Sequence, residues 1–338
     1  MKDVPITAND LLEPAEHGGD LGVARQRYPD APQPWIDLSS GINPFAYPVG
    51  DLPPETWQRL PSREAERALL AAAARRYGVG DASTIVAAPG TQALIQLLPR
   101  LVHGSTVAVL GPTYAEHALS WRRAGHDVTV IADLAAGTGS DVVVVVNPDN
   151  PTGRLLSCDT LRGLRASLLV VDEAFIDLLP DDASLVRELP ANAVVLRSFG
   201  KAYGLAGLRL GFAVAQTSLA SALRCALGPW AVCGPALEIG RRALHDRDWL
   251  PATAARLAQV RDRLDRLLVA AGFEIEGGTP LFRLARHAQA RRLAHVLGEH
   301  GIHVRTFADC PTSLRLGLPA DDAALRRLAG ALQVPQKV

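Results

Sequence analysis

Between residues 84 and 214, short apolar runs alternate with stretches of helical period, and this recurrence narrows the fold more than any other feature. The runs fall at 84–88, 106–110, 128–132, 142–146, 168–171, 193–196 and 210–214. Val142–Val146 is valine throughout. A strand that is apolar on both faces must be covered on both faces, which is the situation of central strands in a mostly parallel sheet between helices. An α/β fold follows, and ligands of such sheets bind in the loops at the carboxyl ends of the strands.

The flanks read differently. The first 60 residues are rich in Pro, Gly and Asp, with His17-Gly-Gly-Asp20 followed by Trp35-Ile-Asp-Leu-Ser-Ser-Gly-Ile-Asn-Pro44. Residues 1–45 are expected to form an arm that packs with the small domain. Ser62 reads as the N-cap of a helix reaching residue 76, with Glu64 and Glu66 in its first turn. Residues 46–217 are expected to make the large domain. Residues 218–338 are expected to supply a linking helix near 251–271 and a small α+β domain with strands near 280–284, 302–305 and 313–316.

Composition excludes several function classes. Apolar residues make up 48 % and charged residues 21 %, as in a globular chain with a large core. Lys plus Arg and Asp plus Glu are 35 each, so no net field favours nucleic acid or an anionic membrane. The cysteines (Cys158, Cys225, Cys233, Cys310) show no ligand-like spacing, no metal site is expected, and they read as reduced thiols of a cytoplasmic protein. No secretory signal sequence is expected of Met-Lys-Asp-Val-Pro-Ile, and no run of about 18 apolar residues suggests a membrane span.

The chemistry starts from one amine. Of the 35 basic residues three are lysine (Lys2, Lys201 and Lys337) and the other 32 are arginine. Lys201 alone lies in the body of the chain, in the glycine-rich Ser198-Phe-Gly-Lys-Ala-Tyr-Gly-Leu-Ala-Gly-Leu-Arg-Leu-Gly-Phe212. Arginine replaces lysine as a surface cation but cannot form an imine, because its guanidinium stays protonated. The retained lysine is either a survivor in a loop or a group kept for amine chemistry.

Further motifs sit at strand ends. Ala88-Pro-Gly-Thr-Gln92 puts Gly90 and Thr91 at a helix start, which either binds a phosphate or only caps the helix. Val146-Asn-Pro-Asp-Asn-Pro-Thr-Gly153 holds Asn150 in a proline-fixed loop, as an amide donor or as part of a polar turn. Asp172 ends the apolar run 168–171, where a carboxylate calls for a cationic partner: a core ion pair, or a protonated pyridine nitrogen of an electron sink. Ser198 and Arg209 flank Lys201 with a hydroxyl and a guanidinium suited to a phosphate on the same ligand.

In order and spacing these motifs resemble the fold-type I pyridoxal-phosphate enzymes of the class I/II aminotransferase family, from about Asp37 to Leu318. The resemblance implies a large domain with a mostly parallel sheet, a smaller α+β C-terminal domain, pyridoxal 5'-phosphate as cofactor and a homodimer. It implies that Lys201 carries the cofactor, Asp172 pairs with its ring nitrogen and Asn150 bonds its ring oxygen. It further implies that Gly90, Thr91, Ser198 and Arg209 hold its phosphate, that Tyr114 of Gly111-Pro-Thr-Tyr114 stacks on its ring, and that Arg315 of Ser313-Leu-Arg-Leu-Gly317 takes the substrate carboxylate. Two positions depart from the family. Phe175 stands where a tyrosine is usual, and Leu60 of Arg59-Leu-Pro61 stands where a tyrosine commonly reaches across the dimer.

Within the family, the pair of N-terminal motifs resembles members that decarboxylate L-threonine O-3-phosphate to 1-aminopropan-2-yl phosphate in cobalamin biosynthesis. It is less like members that transaminate histidinol phosphate with 2-oxoglutarate, which is the alternative activity. The Phe175 of Asp172-Glu-Ala-Phe-Ile-Asp177 points the same way. Both activities imply a small phosphorylated substrate and a second anion site, for which Arg305 of Gly301-Ile-His-Val-Arg305 is the candidate. Gly18 and Gly19 are expected to let backbone amides approach the substrate phosphate, and Asn43 completes the expected substrate-binding set. A regulator with this fold would need an added DNA-binding module, which the few residues before Asp37 and the zero net charge do not suggest.

Overall fold

The computed structural model describes residues 18–333; His17 of the N-terminal motif lies outside the described residues. Twelve strands form two sheets among the described residues. The first, β1 (Ile36–Leu38), precedes the large sheet in sequence but does not join it. The large sheet comprises β2 (Ile85–Ala88), β3 (Thr106–Leu110), β4 (Asp127–Ile131), β5 (Val142–Val146), β6 (Leu168–Asp172), β7 (Ala193–Ser198) and β8 (Gly211–Ala215), in the order β2-β8-β7-β6-β5-β3-β4.

Strands β3 to β7 pair in parallel, whereas β8 is antiparallel to both β2 and β7. Every residue of β5, β7 and β8 is buried. Their two faces enter two different apolar clusters, one around Val143, Val145, Val195 and Val214, the other around Val142, Val144, Val194 and Ala213. The helix Arg63–Tyr77 begins where Ser62 accepts from the Ala65 amide, and ends at Gly78, whose φ of 71° suits glycine. It packs against the helix Gly234–His245 over the first of these clusters.

The helix Trp249–Ala270 leads to the second sheet, made of β9 (Glu274–Thr279), β10 (Phe282–Arg286), β11 (Ile302–Thr306) and β12 (Ser313–Gly317), with β1 on its far edge. β1 runs parallel to β11 with Asp37 opposite His303, so the N-terminal segment is part of the C-terminal sheet. β11 and β12 are antiparallel with Arg305 opposite Arg315. Among the described residues no helix is long and apolar enough to cross a membrane.

Candidate active site

Adjacent strands β5 and β6 end in register, Val146 opposite Asp172, and Asp172 lies opposite Leu196 of β7, which runs on to Ser198. Their C-terminal loops therefore emerge side by side. They open into a cavity of about 1000 Å³ whose other wall comes from the small sheet. Asn150, Asp172, Ser198, Lys201 and Arg209 line one side, and Arg305 and Arg315 line the other.

Lys201 lies in the single turn Phe199–Ala202 directly after β7. Its ammonium faces the cavity and sits 5.6 Å from the centre of the Phe175 ring. Burial pushes its pKa down to about 8; Arg315 and Arg209 act in the same direction and Asp172 opposes them. A lysine so placed keeps a minor but appreciable neutral fraction near physiological pH, far more than an ordinary lysine, and that is the form that attacks a carbonyl. Capture of an aldehyde by the cofactor-free protein at this amine is expected to rise about tenfold per pH unit up to about pH 8 and then level off. A capture rate still climbing at that slope through about pH 10 would contradict the depressed value.

Asp172 is 3 % exposed. His117 Nε2 donates to its Oδ2 at 2.9 Å, and the Ala174 amide donates to its Oδ1 at 3.0 Å. His117 was not anticipated from sequence. It follows Tyr114 by three residues, at the start of the helix Glu116–Arg123, and a buried carboxylate in need of a donor is the signal that leads to it. Tyr114 lines the cavity and donates to Gln92 Oε1 at 3.1 Å. Its phenol is held neutral, with burial and then Glu116 and Asp172 pushing its pKa up to about 12.

An anion cradle faces the amine. Gly90 has φ 83°, and a Cβ there would stand 2.6 Å from Arg209 Nη2. A Cβ on Gly211 would stand 2.6 Å from the Thr91 amide nitrogen. Only glycines let the Gly90–Thr91 backbone, the Arg209 guanidinium and β8 converge this closely. Arg209 itself adopts φ 54° and donates to the Ala206 carbonyl at 3.1 Å.

Arg315 Nη1 donates to Asn150 Oδ1 and Nη2 to the Ser39 carbonyl, the latter at 2.5 Å, while its buried Nε has no partner. Because the Asn150 oxygen is engaged, its NH₂ group is the end left for a ligand. Burial and then Arg305 lower the Arg315 pKa to about 10, which still leaves it charged at neutral pH.

Gly18 lines the cavity, but the other N-terminal candidates serve differently. The Gly19 amide donates to Ser39 Oγ at 2.7 Å, so it is committed within the protein and not directed to a phosphate. Asn43 donates to the Ala202 carbonyl at 2.7 Å and accepts from the Phe45 amide at 2.9 Å. Its own amide donates to the Lys201 carbonyl at 3.0 Å, so Asn43 braces the lysine turn from behind and does not wall the cavity.

An activated amine, a buried carboxylate held by two donors, an amide donor and a glycine-bared anion cradle share this cavity. That donor set fits pyridoxal phosphate, which presents an aldehyde, a ring nitrogen, a ring oxygen and a phosphate. The family profile of aminotransferase class I and II matches residues 34–332. The chain is 42 % identical over 326 residues to a threonine-phosphate decarboxylase of Pseudomonas aeruginosa, covering 94 % of this chain and 97 % of that one. It is 44 % identical over 331 residues to a threonine-phosphate decarboxylase of a Sinorhizobium species, covering 95 % and 98 %. In fold it is similar to histidinol-phosphate aminotransferase from Sinorhizobium meliloti in complex with pyridoxal-5'-phosphate, with a TM-score of 0.82 at 22 % identity over 98 % of this chain and 97 % of that one. The chain belongs to the class I and II aminotransferase family.

Proposed function

We propose that the protein decarboxylates L-threonine O-3-phosphate to 1-aminopropan-2-yl phosphate and CO2, with pyridoxal 5'-phosphate as cofactor. The observation that carries this reading is the identity of 42–44 % along nearly the whole chain to two proteins of that activity. The paired arginines on β11 and β12 support it, because a phosphorylated amino acid brings two anionic groups of its own.

When bound, pyridoxal phosphate supplies an electron sink that lets a bond at the substrate Cα break heterolytically. The chain's residues do the rest. Gly90, Thr91, Ser198 and Arg209 would hold the cofactor phosphate, Asp172 would keep the ring nitrogen protonated, Asn150 would donate to the ring oxygen, and Tyr114 would cover the ring. Asp172 is fitted for its task because His117 and Ala174 already hold its carboxylate in one orientation.

Arg315 and Arg305 would bind the substrate's carboxylate and phosphate. Which group they clamp decides which bond at Cα breaks, so they separate loss of CO2 from loss of a proton. Lys201, whose pKa burial lowers to about 8 in the cofactor-free protein, would in its ammonium form deliver a proton to Cα after CO2 departs. Phe175 places an apolar edge where a tyrosine would offer a second donor, leaving Asn150 as the donor on that side.

The same reading includes a homodimer working in the cytoplasm. Trp57, Leu60 and Trp230 are 68 %, 67 % and 58 % exposed, which suits burial against a second copy, and four free thiols suit a reducing compartment. The testing experiment incubates cofactor-loaded protein with L-threonine O-3-phosphate and no keto acid. Release of CO2 with the amine retained is the expected result. CO2 absent, with glutamate formed from histidinol phosphate and 2-oxoglutarate in its place, would make the protein a transaminase.

A further inference from the structure

Ser39 is fully buried and touches no ligand space, yet several parts of the cavity converge on it. Its hydroxyl accepts from the Gly19 amide at 2.7 Å and donates to Asp37 Oδ1 at 2.6 Å. Its amide donates to the same Asp37 oxygen at 2.8 Å. Its carbonyl accepts from Arg315 Nη2 at 2.5 Å. One residue therefore ties the N-terminal arm to the arginine on β12.

The surroundings leave this joint little freedom. A Cβ on Gly18 would lie 2.3 Å from the Ser39 carbonyl oxygen, and a Cβ on Gly317 would lie 2.5 Å from the Ser40 carbonyl oxygen. The arm, the end of β1 and the end of β12 thus touch backbone to backbone. Asp37 is itself fixed by the parallel pairing of β1 with β11, the strand that carries Arg305. Downstream, the arm is held separately, by the Ala24, Ala31 and Trp35 cluster and by the hydrogen bond between Tyr28 and His295. Loss of the Ser39 joint would therefore free the segment at Gly18–Asp20 without detaching the helix Leu21–Arg27.

We propose that Ser39 is a positioning residue that sets the Gly18 wall of the cavity against the Arg315 guanidinium, so that arm and arginine engage the substrate as one unit. The inference rests on the proposed function, since it assigns the substrate to that side of the cavity. Ser39→Ala keeps the backbone carbonyl that accepts from Arg315 and loses the hydroxyl that holds the Gly19 amide, so it weakens substrate binding while Arg315 and the bond-breaking groups around Lys201 stay in place.

Three variants test it: Ser39→Ala, which removes the hydroxyl bridge; Gly18→Ala, which forces the arm off the Ser39 carbonyl; and the pair combined. With L-threonine O-3-phosphate, each single variant is expected to raise KM about tenfold with kcat within about twofold of the parent, and the double variant to be no worse than the poorer single one. Hydrogen exchange of the Gly18–Gly22 amides without substrate is expected to quicken about tenfold or more in Ser39→Ala, and this readout stands whether or not the protein releases CO2. Effects of Ser39→Ala and Gly18→Ala that multiply in the double variant, a KM within about twofold of the parent, or unchanged exchange would each overturn the proposal. Failure of the parent protein to release CO2, with exchange quickened as stated, would count against the proposed function and leave the joint intact.

Discussion

Lys201→Ala is expected to lower kcat by about four orders of magnitude or more, because it removes the one amine that the described residues bring to the cavity to hold an aldehyde and return a proton. Lys201→Arg should be equally inactive, since a guanidinium keeps the charge and lacks a neutral form. That pair separates amine chemistry from electrostatics. The fold should survive both changes. The backbone carbonyl that receives the Asn43 amide remains, and the chain loses only a group whose charged form is disfavoured by burial. The folded-state pKa of about 8 lies below the ordinary value of 10.5, so folding is penalised below pH 8 and the penalty fades as pH rises toward 10.5. At pH 7 the cofactor-free Ala variant should therefore melt no lower than the parent. Turnover within tenfold of the parent would contradict the role of Lys201; a lower melting temperature would contradict the burial argument.

The second large effect is on stability. Arg197 is 4 % exposed, on β7 just before Ser198, and its guanidinium donates to Glu173 Oε2 at 3.3 Å, to Ser184 Oγ at 3.0 Å and to Asp177 Oδ1. It also lies over the Tyr77 ring, 4.3 Å from its centre. Arg197→Ala would leave two buried carboxylates without the cation hydrogen-bonded to both, a change that costs about 3–5 kcal/mol. Burial already raises the Glu173 pKa and Arg197 opposes it, so in the variant this carboxyl should take up a proton more readily. The deficit should accordingly shrink as pH falls from about 7 to about 5. Urea midpoints at the two pH values measure it. Glu173 adjoins Asp172, and Arg197 is on the strand that leads to Lys201, so cofactor retention should fall along with stability. The exposed pair of Arg286 with Glu274 provides the contrast, since its loss should cost under about 1 kcal/mol. Equal effects at the two sites would refute the account.

Much of this architecture is legible in the chain because central strands leave a strong signal. The valine run at Val142–Val146 and the apolar run ending at Asp172 are strands with those ends, since a side chain apolar on either face has only a covered sheet to occupy. Edge strands leave less. β9 contains Gly277 and Gly278, carries a bulge against β10 and has no apolar run to announce it. β1 is three residues long and exists because β11, from the far end of the chain, pairs with it. The antiparallel direction of β8 is likewise set by tertiary pairing, since the side-chain pattern is the same whichever way a strand runs.

The site divides along similar lines. Residues whose chemistry is costly in an apolar setting, such as Lys201 and Asp172, stand out in the sequence. Those that work through ordinary hydrogen bonds do not. Gly19 and Asn43 fall in motifs suggestive of ligand contact, yet the Gly19 amide faces the buried Ser39 hydroxyl and the buried Asn43 side chain faces the Ala202 carbonyl, because buried polar groups must find partners within the protein. His117 and Ser39 are silent in sequence for the same reason: each matters through a neighbour that is close in space only.

The most direct test of the central claim is the mass of the product formed from L-threonine O-3-phosphate in D2O without a keto acid. The account predicts an amine-bearing phosphate with one carbon-bound deuterium where the carboxylate had been, released mole for mole with CO2. A product that has lost its amine, or substrate recovered with deuterium at Cα and its carboxylate intact, would show that the C–H bond is the one broken and would contradict the decarboxylase.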